Sequence, residues 1–392
     1  MNFKKVVSKL HLWLGLSSGL VVFIIATTGC IYAFQEEIQD YTQSYRFIKN
    51  ENKPFLLPSQ IENIAEQALP GKHAHSVTYE KNGRAAQVSF YNKDPEYYYR
   101  VFINPYDGKV LKIKNMEEDF FRFILMGHFY LWLPPKIGQP VAATATLVFV
   151  LLLISGIIMW WPKNKNGRKQ RFSIRWNSKW RRRNYDLHNV LGFYISSIAL
   201  LLALTGLVWG FKWFAKTLYW TASGGKEMVS YYQVNSDTLY KASIPHSPAD
   251  HVWRIMKNDH PEAASIEVHY PENSLEAIAA NANPEEGTYW KRDYRYFDQH
   301  SLKEIPVKHM FGRLNQASGA DKLLRMNYDI HVGAIAGLPG KIIAFLASLL
   351  TASLPITGFC IWWGRKKKSG KKNKAQLSFY KKNKPAIYET IG

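Results

Sequence analysis

Four of the twelve histidines stand at matched positions in a duplicated pattern. His11 opens the apolar run LHLWLGLSSGLVVFIIATTGCIYAF (10–34), and His188 opens LHNVLGFYISSIALLLALTGLVWGF (187–211). At one fixed offset the two runs share Leu10/Leu187, His11/His188, Gly15/Gly192, Thr28/Thr205, Gly29/Gly206 and Phe34/Phe211. His128, in RFILMGHFYLWLPP, and His331, in RMNYDIHVGAIAGLP, each precede a further apolar run. Those runs end in SGIIMWW and TGFCIWW, so Ser155-Gly156 matches Thr357-Gly358 and Trp160-Trp161 matches Trp362-Trp363. A lone histidine at a membrane interface reads as a snorkelling, hydrogen-bonded side chain. Four at repeat-equivalent places ask for a shared chemistry. Neutral imidazole is a good axial ligand for haem iron, and helix bundles build such sites from facing helices.

The elements that must carry these rings follow from length. A bilayer needs about 20 apolar residues per helix, and the runs 10–34, 137–161, 187–211 and 341–363 each meet that. The order helix, polar segment, histidine, helix is thus written twice, and such repeats imply pseudo-twofold architecture with a site near the repeat interface. The expected organisation is a first transmembrane helix in 1–36 and a polar domain in 50–116. A surface helix plus second span follows in 118–162, then a basic connector in 163–186 and a third span in 187–214. A second polar domain occupies 220–310, a surface helix plus fourth span 320–364, and a basic tail 365–392. Pro134-Pro135 and Leu338-Pro339-Gly340 separate each surface helix from its span.

The net charge of +21 invites a nucleic-acid reading, which its distribution excludes. Lys and Arg number 3 in residues 1–9, 10 in 163–183 and 10 in 365–392, and Glu389 is the one acidic residue among them. Four spans place those segments on one side of the membrane, and the positive-inside rule makes that side cytoplasmic. Anionic lipid headgroups are the expected partner of this charge, and nucleic acid is not. Both polar domains then face the periplasm. ATTGC at 26–30 faintly resembles a lipoprotein cleavage site, but the second copy carries Leu207 in place of Cys30, so the first run is expected to be a retained anchor. Cys30 and Cys360 are expected at opposite ends of their spans, too far apart for a disulfide. No CxxCH occurs, which rules out covalent c-type haem, and no P-loop, Rossmann glycine pattern or nucleophile elbow is present.

Each polar domain reads as one helix on a small antiparallel sheet. PSQIENIAEQALP (58–70) has helical spacing, followed by alternating HSVTYE, AAQVSFY and YYYRVFINPYDGKVLKI. SPADHVWRIMKNDHP repeats the helix, followed by ASIEVHYP and YWKRDYRYFDQHSLKEI. A helix followed by strands and an NPYDGKVL turn resembles a PepSY domain. Its placement between LH…LG…TG and H…(S/T)G…WW helices resembles the PepSY-associated transmembrane family over roughly 5–365. The second unit departs from the pattern, with YFDQHSLKEI where the first has INPYDGKVL. The fold class expected is a membrane α-helical protein of four transmembrane helices in two pseudo-symmetric repeats, with two small α+β PepSY-like periplasmic domains.

The resemblance implies a di-haem inner-membrane protein that reduces ferric siderophores. A twofold axis along the membrane normal would bring His11 to His188 near the cytoplasmic face and His128 to His331 near the outer face, holding two haems b. Pairing within each repeat is the other arrangement that the sequence leaves open. Gly15 and Gly192, four residues after their histidines, share the histidine face and suit either a flat macrocycle or close helix packing. Lys9, Arg182 and Arg183 are candidates for haem propionates or for docking an acidic donor, and also serve as topology determinants. The expected partners are a ferric siderophore, membrane lipids and an electron donor, either a cytoplasmic flavoprotein or a quinol. Ferrous iron binds hard oxygen donors less well than ferric iron, so one-electron reduction would release the metal. Tyr97, Tyr98, Tyr99, Trp290, Tyr294 and Tyr296 are aromatic residues of the outer domains that could meet a bulky chelate or fill strand cores. His73 and His75 share a strand face without further ligands, and His246, His251, His260, His269, His300 and His309 read as ordinary surface or strand residues. Two other classes stay open: a non-enzymatic PepSY-type sensor or assembly protein, and a haem b electron-transfer subunit for another acceptor.

Overall fold

Four helices among the described residues are long and apolar enough to cross a bilayer: Phe3–Tyr32, Pro135–Trp160, Trp180–Gly210 and Ala334–Lys366. They run 30, 26, 31 and 33 residues, against a requirement of about 20. The computed structural model describes residues 3–81, 83–162, 171–237 and 247–382, with side chains to 366; His246 and the basic stretches 163–170 and 383–392 lie outside the described residues. In chain order the elements are α1 (Phe3–Tyr32), α2 (Gln35–Thr42), α3 (Pro58–Ala68), β1 (Ser76–Glu80), β2 (Ala86–Lys93), β3 (Glu96–Ile103) and β4 (Val110–Asn115). There follow α4 (Phe120–Tyr130), α5 (Pro135–Trp160), α6 (Trp180–Gly210), α7 (Lys212–Ala222), α8 (Pro248–Asp259), β5 (Ser265–His269), β6 (Ile278–Asn283), β7 (Asp293–Phe297), α9 (Gly319–Val332) and α10 (Gly337–Lys382).

The chain divides into two compact units. A helical unit comprises Met1–Thr27, Thr144–Ala203 and Ala347–Gly392, and a sheet unit comprises Thr28–Ala143 and Leu204–Leu346. In the helical unit, Leu153, Ile195, Ala199 and Ala347 form a small buried cluster, flanked by Phe149, Leu350 and Leu354. The cluster draws one or two side chains from each of three spans, a small core of the kind that membrane helices form when no hydrophobic effect drives association.

The sheet unit holds one seven-stranded antiparallel sheet in the order β4-β3-β2-β1-β5-β6-β7. The two polar segments therefore share a sheet where the sequence suggested two small domains. Its middle pair joins them, with Ser76 opposite His269 and Glu80 opposite Ser265. Left alone, β1 and β5 would each be an open edge of unpaired backbone groups; pairing them closes both. One face carries a continuous core from both segments, including Val77, Val88, Phe90, Val268, Ile278 and Phe297. Ile61 of α3 and Val252 and Met256 of α8 cover it.

Local signals explain the two covering helices. Pro58 occupies the first turn of α3, where a missing N–H costs nothing, and Gln60 Oε1 accepts from Leu57 N at 2.9 Å. Asp250 of α8, 2 % exposed, accepts from both Ser59 N (2.8 Å) and Ser59 Oγ (2.6 Å), tying the helices together. The strand β6 was not foreseen. Its sequence IAANAN is poor in β-formers, yet Ala280 and Ala282 are buried in the core and Asn281 donates to Glu267 Oε2 at 2.9 Å.

Candidate functional site: two histidine pairs

In the helical unit, His11 of α1 and His188 of α6 line a single cavity of about 670 Å3. Each ring is held by a hydroxyl of another span. His11 Nδ1 lies 2.8 Å from Ser155 Oγ of α5, and His188 Nδ1 lies 2.9 Å from Thr357 Oγ1 of α10. The residue after each hydroxyl is a glycine facing the ring. A Cβ at Gly156 would stand 3.6 Å from His11 Cε1, and one at Gly358 would stand 3.3 Å from His188 Cε1. Gly15 and Gly192 also line the cavity. Cβ atoms there would meet only leucine methyls, at 3.8 Å from Leu152 and 3.6 Å from Leu354, so helix packing does not require glycine at either position.

The tryptophan doublets split. Trp160 is buried, stacks on Phe193 at 3.6 Å between centroids and lines the cavity, as Trp362 does, while Trp161 and Trp363 are exposed. Two cations also line the cavity, Arg171 and Arg365. Arg171 donates to Met159 O (3.2 Å) and Trp160 O (2.6 Å), which anchors it at the end of α5. The three cations singled out from the sequence are elsewhere. Lys9 is exposed, Arg182 pairs with Asp186 at 3.0 Å, and Arg183 lies over the Trp180 ring; none lines the cavity. A glycine-floored, aromatic-walled chamber with two imidazoles and two guanidiniums has the donor set for a flat dianionic macrocycle.

In the sheet unit, His128 of α4 and His331 of α9 lie with ring centroids 6.1 Å apart and ring planes at 62°. Two imidazoles on opposite sides of one metal, with bonds of about 2.0 Å and roughly 1.1 Å from nitrogen to ring centre, put their centroids roughly 6 Å apart. The spacing fits a shared iron. Hydroxyls attend these rings too, with Thr28 Oγ1 3.3 Å from His128 Nδ1 and Thr205 Oγ1 2.8 Å from His331 Nδ1. Trp209 meets His331 edge-on at 5.2 Å.

The helices bearing this pair are fixed at both ends. Asp119 caps α4 by accepting from Arg122 N at 2.9 Å. At the far end Leu131 and Trp132 both take φ of 57°, a conformation unusual for such residues. It folds the Trp132 ring back over Gly127, where a Cβ would come within 2.3 Å of the ring, and Trp132 Nε1 donates to Phe123 O at 2.9 Å. Ser318 and Asp321 form a reciprocal cap on α9. Asn327 donates to Thr205 O at 3.1 Å. Asp329, fully buried, accepts from Tyr289 N (3.1 Å) and Trp290 N (2.7 Å), clamping that loop against the His331 helix.

Elsewhere, His73 faces Glu66 at 3.4 Å, and the His75 ring lies 5.0 Å from His269. No group of three or more His, Cys, Asp or Glu among the described residues is arranged to hold a metal ion. His309 is not a surface residue: it is 4 % exposed, enclosed by Tyr231, Tyr232 and Tyr296. Of the sheet-unit aromatics singled out from the sequence, Tyr97 and Tyr99 pack against the core, Tyr98 lies under Arg122, and Tyr296 is buried. Cys30 and Cys360 are free thiols.

Four apolar spans, an antiparallel sheet unit and paired histidines define a multi-pass membrane protein with an attached soluble-type domain. The chain belongs to the PepSY-associated TM region family, whose model matches residues 8–365, nearly its whole length. No curated protein matches it.

Proposed function

We propose that this protein is a di-haem b reductase of the inner membrane, passing electrons to ferric siderophores in the periplasm and releasing ferrous iron. The observation that carries the reading is the 6.1 Å separation of His128 and His331, the spacing of two imidazoles sharing one metal. A second pair, His11 and His188, lines a chamber whose walls suit the same group. Each pair takes one histidine from either copy of the duplicated motif, which supports two pseudo-symmetric halves. The sheet, with its middle pair β1 and β5 taken from equivalent places in the two polar segments, agrees with that.

Haem iron held by two imidazoles supplies one-electron transfer and has no open coordination position. The chain's own residues do the rest. The four histidines would ligate, and Gly156 and Gly358 leave room for the rings of His11 and His188. Trp160 and Trp362 line the chamber, and Arg171 and Arg365 would meet the carboxylates of a haem held there. The charge distribution supports cytoplasmic termini and a periplasmic sheet unit, so that a cytoplasmic flavoprotein or a quinol gives the electrons. A ferric chelate is the substrate, its oxygen donors loosening as the metal becomes ferrous.

The test is purification from haem-replete cells, pyridine haemochrome quantitation, and turnover of a ferric hydroxamate with a ferrous trap. Two haems b per chain and trapped ferrous iron are expected. Colourless, folded protein refutes the reading; two haems without turnover refute the substrate and leave an electron-transfer subunit.

A further inference from the structure

The four hydroxyls are more than neighbours of the four rings, and this inference rests on the haem reading above. Thr357 Oγ1 lies 2.9 Å from Ser353 O and 3.0 Å from Leu354 O, the carbonyls of its own preceding turn. A hydroxyl has one proton and two lone pairs. With that proton given to a backbone carbonyl, the oxygen can only accept from His188, so Nδ1 must carry the ring proton. Ser155 repeats the arrangement, donating to Leu152 O at 3.0 Å while lying 2.8 Å from His11 Nδ1. A ring protonated at Nδ1 has its lone pair on Nε2. The adjoining glycine sets the ring plane, because at 3.3 Å from His188 Cε1 even one added methyl would press on the edge of the imidazole.

We propose that each Ser/Thr-Gly dipeptide of the four spans is a histidine cradle, with Ser155, Thr357, Thr28 and Thr205 as positioning residues that hold each ring with Nε2 presented to iron. The cradles are exchanged between elements. Thr28 lies on α1 with His11 but attends His128, and Ser155 of α5 attends His11. Likewise Thr205 lies on α6 with His188 but attends His331, and Thr357 of α10 attends His188. A substitution at Thr28 should therefore disturb the haem that does not belong to the histidine of its own helix.

The experiment uses the full-length holoprotein carrying Thr357→Val, Thr357→Ser or Thr28→Val, read by haem stoichiometry, low-spin ferric EPR and redox titration. Loss of a second-sphere partner typically weakens metal retention about 10- to 100-fold. Thr357→Val should shift the EPR signal and potential of one haem, the one that His188→Ala removes, and Thr357→Ser should restore both. Thr28→Val should shift the haem that His128→Ala removes and leave the other as in wild type. Wild-type spectra in both valine variants, or a Thr28→Val effect confined to the His11 haem, overturn the proposal. A second readout does not need haem: 15N correlation spectra of the histidines in full-length protein from haem-limited cells. A proton on Nδ1 of His188 supports the cradle, even in a chain that never takes up haem and so refutes the proposed function. A proton on Nε2 overturns the cradle, whatever the haem content.

Discussion

The ring centroids of His128 and His331 lie 6.1 Å apart, so on the proposed di-haem reading either ring alone would leave a shared iron half-ligated. His128→Ala or His331→Ala should each remove about one haem per chain, while His11→Ala or His188→Ala removes the other; haemochrome quantitation of the four variants decides it. Unchanged content in His128→Ala and His331→Ala would refute the assignment. These four residues were legible because the sequence writes them twice at matched positions. Their hydroxyl partners were visible as repeat markers, but nothing in a linear sequence says that Thr28 attends a ring 100 positions away. Arg171 and Arg365 were hidden for a different reason. They stand among 23 cations of the basic segments, and only the end of α5 and the cavity wall single them out.

Among the elements, α3 carries a carboxyl whose state depends on its packing. Burial, then the charges of Glu66 and Asp250, push Glu62 from an ordinary 4.5 up to about 7. A raised carboxyl pKa means that the fold prefers the protonated form. The stabilising preference is complete below about pH 4.5 and is lost as pH climbs through 7. Glu62→Gln should therefore melt higher than wild type at pH 8 and alike at pH 4.5; equal melting curves at pH 8 would show that Glu62 is solvated. The joined sheet makes a second prediction. Phe90 of β2 is fully buried in a core that also contains Val268, Ile278 and Phe297. Phe90→Ala should cost about 3–5 kcal/mol, and hydrogen exchange should speed in β5 to β7 together with β1 to β4. Loss of protection confined to β1 to β4 would mean two independent domains. The spans, the covering helices α3 and α8 and most strands could be read from periodicity, whereas β6 could not, because alanine and asparagine carry no strand signal until a core face selects small side chains. The joining of the two polar segments was equally silent: edge pairing is decided by which edges remain open, and that is a property of the assembled sheet.

At the scale of the whole chain, charge is partitioned completely. The sheet unit contains 28 Lys and Arg against 28 Asp and Glu, so the entire +21 belongs to the helical unit. Positive charge flanking spans is retained on the cytoplasmic side, since long polar domains translocate with little regard to charge while basic flanks do not. The neutral sheet unit, with exposed Lys93 near its β2–β3 turn, should then be periplasmic, and exposed Asn177 of the basic connector cytoplasmic. In a background lacking Cys30 and Cys360, Lys93→Cys should react with an impermeant maleimide in intact spheroplasts. Asn177→Cys should react only after the membrane is permeabilised. The reverse pattern would invert the orientation, and with it the proposed direction of electron flow, because the sheet unit would then face the cytoplasm instead of the compartment proposed for the ferric chelate. Labelling of both sites without permeabilisation would remove the four-span topology itself, since the single span Pro135–Trp160 stands between Lys93 and Asn177 and must put them on opposite sides.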